Sequence, residues 1–543
     1  MRVYLINALV KLKRAAFEID SQLQIGAKEI RNNYRNINRW FWHLIDLDTY
    51  NSPINRFLKY GHRKFPKLIN DPRRKFDLAQ ARKRDAKANA DSLPEEGTSS
   101  ELLCLWVIEF YTPSHVQNLI SAFENLGWDK DESGHSNPVE WLQDLRSKGG
   151  EGWFNLGLLR RLDDNGGIPF IERKIVLPEG IQYAYAHLYS LTSSLTCITV
   201  CFVFGDKYVC AYDNTIKQNY NTYFESLSKG YAILDPRSQK QRLIDGIRKE
   251  IRQNTAAWFQ KHMPGIFSSI SGNPFPTSEF IVLKNSPPLV EAKKEPIKLL
   301  RHLGIDNGLY NWECVDIAGL KFTWPLLRDN QNSFNAVLMI EQSNLDKIDL
   351  KQYGESSPET YTYFFNEHMA KLLTRWGCHS LLKTFECKLN QTRDSKVFQP
   401  TNSDPLKLLE NLRKMVSNSI DIARISPELL ASAQNDPFFM AEMPDFKIFQ
   451  PYKGVSLSQE IKNNIAVTAD KILTIDKAVS ELLIQQGNLL SAYENIKLQR
   501  SIKRLTVFIL ILTVVMAYEP IRKFLPDKII RVQVSDFDFL ASK

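Results

Sequence analysis

A chain of 543 residues with 43% hydrophobic and 24% charged side chains has the composition of a folded protein, which excludes a disordered or fibrous class. The net charge of +9 is uneven: residues 1–90 hold 20 Lys+Arg against 8 Asp+Glu, and the other 453 hold 50 against 53. That excludes a uniformly basic protein and points to an anionic partner of the N-terminal segment alone.

Residues 1–88 read as a basic, mostly helical region. Arg73, Arg74, Lys75, Arg82, Lys83, Arg84 and Lys87 form a stretch almost free of apolar side chains. Anionic lipid and nucleic acid are both candidate partners for it, weighed against a plain solvated face. The first twenty residues have no uninterrupted secretory apolar core. Residues 89–100 (NADSLPEEGTSS) have the composition of a linker.

Residues 101–290 read as an α+β module. Leu102–Thr112 has the length and aromatic content of a buried strand, and Ser114 is a candidate N-cap for a helix over His115–Leu126. Gln182–Ser190 alternates, placing Tyr183, Tyr185, His187 and Tyr189 on one face. Cross-strand packing is the ordinary use of such a ladder, and a ligand face the rarer one. Two further runs, 195–204 and 207–213, flank Gly205-Asp206 and predict a hairpin with Cys201 opposite Cys210, completing a three-stranded meander. Asp235-Pro236 predicts a helix start, with Ile244, Ile247, Ile251 and Trp258 on its buried stripe. A strand over Glu279–Lys284 follows.

A second α+β and helical module is expected over 297–450, with strands near Val315–Trp324 and Ala336–Glu341 and a helix from Thr360 to Asn390. Seven dispersed cysteines lack any C-x-x-C pair and read as reduced thiols. The isolated Glu291-x-Lys293, the Gly149–Gly152 turn, and the pairs Glu367-His368 and Cys378-His379 each lack the partner residues that a nuclease, phosphate or metal site needs. No cofactor and no metal are expected, and no catalytic residue can be assigned.

From Leu457 to Arg504 there is no proline and a single glycine, Gly487. A heptad frame places Ile461, Ile465, Ile472, Ile475, Val479, Leu482, Leu489 and Ile496 on one seam, interrupted by Thr468, Gln486 and Tyr493. The seam fits either a coiled-coil stalk that joins copies of the chain or a helix packed on its own body.

The stalk continues into LTVFILILTVVMAY (505–518), an uncharged run apolar on every side apart from its threonines. Leu505, Val507, Phe508, Ile509, Leu510, Ile511, Leu512, Val514, Val515, Met516 and Tyr518 are the candidate membrane anchor. Lys503 and Arg504 stand at its entrance, where their stems can reach headgroups. A run of this length also fits a buried core helix. A tail over 519–543 follows.

Taken together, these readings predict an α+β protein with antiparallel sheet elements, a long C-terminal stalk helix and a single-pass membrane segment. The expected function is a membrane-anchored cytoplasmic scaffold, sensor or partner-binding protein. A membrane-localised enzyme and a stalk-assembled effector are the alternatives.

Overall fold

A computed structural model describes residues 78–524 apart from breaks at 95, 130–136, 164–171, 228–229, 271–274, 286–302, 304–309, 325–334, 354–356, 395–404, 437–438, 440–442 and 449–455. In chain order the elements are α1 (Asp85–Ala90), β1 (Ser99–Tyr111), α2 (Val116–Asn125), α3 (Pro138–Lys148), β2 (Gly152–Arg160), β3 (Glu172–Lys174), β4 (Ile181–Ser190) and β5 (Thr196–Phe204). Then come α4 (Asp206–Lys217), β6 (Tyr223–Leu227), β7 (Gly230–Leu234), α5 (Pro236–His262), α6 (Ile266–Ser269) and β8 (Thr277–Lys284). The remainder is β9 (Tyr310–Cys314), β10 (Lys321–Trp324), β11 (Asn335–Glu341), α7 (Gln342–Leu345), a short 3-10 turn, α8 (Pro358–Arg393), α9 (Pro405–Asn435), β12 (Phe446–Ile448) and α10 (Leu457–Phe524).

Ten strands join one sheet in the order β12-β9-β10-β11-β8-β1-β5-β4-β2-β3, and β6 and β7 form a separate pair. The sheet therefore takes strands from both the 101–290 and the 297–450 spans. β1 lies at its centre, antiparallel to β5 (Trp106 opposite Cys201) and to β8 (Leu105 opposite Glu279). From Leu102 onward every residue of β1 is buried, as expected of a strand covered on both faces. β11 runs parallel to β8, so the sheet is mixed.

α8 packs against this centre. Ser357 caps it by accepting from the Thr360 amide, and Pro358 occupies its first turn, where no amide donor is needed. Gly377 lets the helix approach closely: a Cβ there would meet the Phe110 and Ile108 side chains at 3.1–3.2 Å. α5 begins as its Asp-Pro signal predicts, with Asp235 accepting from the Ser238 amide. Ile244, Ile251 and Trp258 are buried on its inner stripe and Ile247 is partly so.

Three expectations need correction. Residues 207–213 are helical, not a strand: Tyr208, Tyr212 and Ile216 are the buried residues of α4. Every fourth residue lies on one face of a helix and also on one face of a strand, so the spacing of Tyr208 and Tyr212 fitted both. Cys201 consequently lies opposite Trp106 and Tyr185, and Cys210 is exposed on α4. The third partner in the meander is β2, which pairs with β4. The strand expected over Val315–Trp324 is replaced by a hairpin of β9 and β10, because Gly319 takes a left-handed backbone (φ +78°) and Val315 is exposed. Ser114 does not cap α2. His115 holds that position, and the Ser114 hydroxyl turns to Asp421.

Candidate functional site

α10 is 68 residues long, roughly 100 Å at ~1.5 Å per residue. Its first part belongs to the body. Leu457, Ile461, Ile465, Ala469, Ile472 and Val479 are fully buried and Ile475 partly so, in a part of the helix that packs against α8 and α9. An ion pair from Lys471 to Glu386 on α8 fastens the same stretch, and Glu386 also bonds Lys383 at 3.0 Å. The near half of the heptad seam is thus covered by the chain's own helices.

The far half is not. Leu482 is partly covered, whereas Leu489 is 64% exposed and Ile496 49%. Between residues 480 and 517 no described residue of the helix is buried. The arm then reaches the apolar run, and no described residue packs over that run. Leu505, Val507, Leu512, Val514, Val515 and Met516 are all exposed. Phe508, Ile509, Leu510 and Ile511 are consecutive and each more than half exposed, so the bare surface runs round the whole helix. Tyr518 lies in the helix, with its side chain outside the described residues.

Among the described residues no helix is long and apolar enough to cross a membrane. The uncharged run covers roughly 21 Å of helix axis, against ~30 Å for a hydrocarbon core. Its two hydroxyls are satisfied locally: Thr506 donates to the Ile502 carbonyl and Thr513 to the Ile509 carbonyl, both at 2.8 Å. No side-chain polar group within 505–517 therefore needs an outside partner.

The other candidates are dispersed or structural. Arg73, Arg74 and Lys75 lie outside the described residues. Arg82, Lys83, Arg84 and Lys87 are exposed around α1, where Arg82 donates to the Thr222 carbonyl at 3.1 Å. His187 is packed between Trp153 (5.8 Å) and Tyr189 (6.2 Å). Its Nδ1 meets the Asn366 amide at 3.0 Å, and Asn366 accepts from the Trp106 indole at 2.9 Å. Burial lowers the imidazole to about 4, so it is neutral and serves to tie β4, α8 and β1 together. Cys197, Cys201 and Cys378 are buried thiols raised by that burial. Glu291 and Lys293 lie outside the described residues.

Charged groups inside the body are explained by the fold. Arg248 forks onto Glu279 (Nε–Oε1 2.7 Å, Nη2–Oε2 2.8 Å) and locks α5 to β8. Glu109 accepts from the Phe110, Phe267 and Ser268 amides at 2.8–2.9 Å. Burial nevertheless pushes its carboxyl up to about 7, against the lowering effect of those donors. Lys240 donates to the Ser92 and Ile216 carbonyls at 2.6 and 2.7 Å, and burial lowers it to about 8. None of these groups opens onto a described cleft. One open recess of about 480 Å³ is lined by Arg161, Asp163, Gly180, Ile181, Gln182, Gly205, Asp206 and Lys207. It offers neither a histidine nor a nucleophilic hydroxyl or thiol. Among the described residues no group of three His, Cys, Asp or Glu side chains is placed to hold a metal.

One feature escaped the sequence reading. Asp421 and Glu428, two turns apart on α9, clasp two turns of the sheet domain. Asp421 accepts from Thr112 (2.6 Å) and Ser114 (3.0 Å) hydroxyls. Glu428 accepts from Ser193 and Ser194 hydroxyls (3.1 and 2.6 Å) and the Ser194 amide (3.1 Å). The spacing of seven between two acids on one helix face was the available signal. α10 packs on α9 as well as on α8, so the clasp ties the sheet to a helix that supports the near part of the arm.

No family model matches the chain, and no curated protein matches it.

Proposed function

We propose that the protein is a membrane-anchored scaffold or partner-binding module: the apolar end of α10 inserts into a lipid bilayer, and the near part of the same helix is built into the α+β body. The observation that carries the reading is the bare apolar circumference of residues 505–516 at the tip of a continuous helix. Leaving so many large aliphatic side chains in water is costly at ~25 cal/mol per Å², and a helix apolar on all sides has to be covered by protein or by lipid. The self-satisfied threonines favour lipid, which offers no hydrogen-bond partner.

The run is shorter than a full hydrocarbon core. Single-pass crossing therefore calls on Lys503 and Arg504 to snorkel at one end, with the bilayer thinning to match. Between Val479 and the run lie 25 residues, on the order of 35–40 Å of helix, which would hold the body off the surface. We read the body as cytoplasmic, a reading that its free cysteines support. The body's role is read as binding or scaffolding.

Alkaline-carbonate extraction of membranes carrying the full chain, beside a version ending at Ile502, tests the reading. The full chain is expected to stay in the membrane pellet and the shortened one to be released. Release of both would remove the reading.

A further inference from the structure

The last turns of the arm are one-sided. Lys497, Arg500, Lys503 and Arg504 are all exposed and immediately precede the apolar run. At ~100° per residue they fall within roughly one third of the helix circumference, along roughly 10 Å of its axis. Leu498 and Ile502, 58% and 59% exposed, lie on the opposite side and continue into the face of Leu505 and Ile509. Glu494 is the only acid between residues 488 and 504, and it lies further from the run than any of the four cations. The arm is therefore basic on one side and apolar on the other over its final two turns, and apolar all round beyond them.

We infer that this collar selects the membrane: the apolar end enters a leaflet rich in anionic phospholipid, with Lys497, Arg500, Lys503 and Arg504 seated among its headgroups. The inference rests on the anchoring reading and adds the chemical class of the lipid. A helix entering with Leu498 and Ile502 tilted towards the hydrocarbon brings the cationic stripe down onto the headgroup layer. All four charges then lie within about a Debye length (~8 Å at physiological salt) of the surface, where each contributes to attraction by a negative leaflet. A second copy paired in parallel along the heptad seam is a poor occupant for this stretch, because Arg500 and Lys503 fall on that seam and would face their own copies.

The test is a competition between two vesicle populations during cell-free synthesis of the full chain. One population is phosphatidylcholine, the other phosphatidylcholine mixed with phosphatidylserine, and the two are separated afterwards by density. Each cation near the surface is expected to favour the anionic population roughly fivefold at low salt. The native chain should therefore partition at least about tenfold in its favour, and less as salt rises. The variant Lys497→Gln/Arg500→Gln/Lys503→Gln/Arg504→Gln should still float but divide nearly evenly; its changes are confined to exposed positions. Equal division of the native chain would overturn the lipid class and leave anchoring intact. An undiminished preference in the variant would assign the selectivity elsewhere, to the basic N-terminal region or to Arg522, Lys523, Lys528 and Arg531 beyond the run, and overturn the inference. Failure of the native chain to float with either population would overturn the anchoring reading as well.

Discussion

Truncating Ile472 and Leu489 to alanine, one at a time, separates the two ways in which the seam of α10 can be used. Both residues occupy seam positions of one heptad pattern, so a stalk zipped to another copy along its length would need both. In the structure they differ completely. Ile472 is fully buried where α10 packs on α8 and α9, whereas Leu489 is 64% exposed. Ile472→Ala removes buried carbons from a packed site and leaves a void, which costs about 2–5 kcal/mol. Leu489→Ala removes atoms already in water and should cost less than ~0.5 kcal/mol. The assay is urea unfolding of the chain ending at Ile502, followed by far-ultraviolet circular dichroism at several protein concentrations. Ile472→Ala should lower the midpoint clearly, Leu489→Ala should leave it in place, and neither midpoint should depend on concentration. Equal losses at the two positions, or a midpoint that climbs with concentration, would refute the intrachain packing argued above.

Two further outcomes follow from the buried charges. Arg248→Met leaves Glu279 inside the body without its fork and should cost about 3–5 kcal/mol, while Arg248→Met/Glu279→Leu should recover much of that loss; single and double variants that unfold at the same urea concentration as the native chain would contradict it. Glu109 has a folded-state carboxyl raised from 4.5 to about 7, so the native state holds the proton more tightly than the unfolded chain. Its contribution is fully present below pH 4.5 and is lost as the pH rises through about 7. Thermal melts across that window should show a declining component that Glu109→Gln removes, and identical pH profiles for the two proteins would rule out the assignment.

Much of the body was legible because local signals and tertiary demands agree there. β1 is an apolar run from Leu102 to Tyr111 interrupted only by Glu109. α5 announces itself through Asp235-Pro236, and α8 through a long stretch without proline after Pro358, in which Gly377 is the single glycine. Where two periods coincide, legibility fails: Tyr208 and Tyr212 suit a strand and a helix alike, and the buried position of Ile216 settles the matter only once α4 is seen. α9 left no clean mark because Pro427 falls inside it and reads as a stop. The seam of α10 was visible as a stripe, but a stripe records that something covers it, not what does. The apolar run stood out as uncharged, and its exposure among the described residues is information that only the fold supplies. The clasp through Asp421 and Glu428 depends on contacts over more than 200 positions of sequence, so the spacing of the two acids marks a shared face without naming its partners.

The most direct measurement compares two single cysteines in open membrane sheets, in a chain whose exposed Cys210 and Cys387 are replaced by serine. Ser491→Cys lies on the bare arm and Leu510→Cys in the middle of the apolar run. A charged maleimide should modify the first rapidly and the second only after the membranes are dissolved in denaturing detergent. Equal modification of both in intact sheets would mean that residue 510 faces water, and the anchor would have to be abandoned.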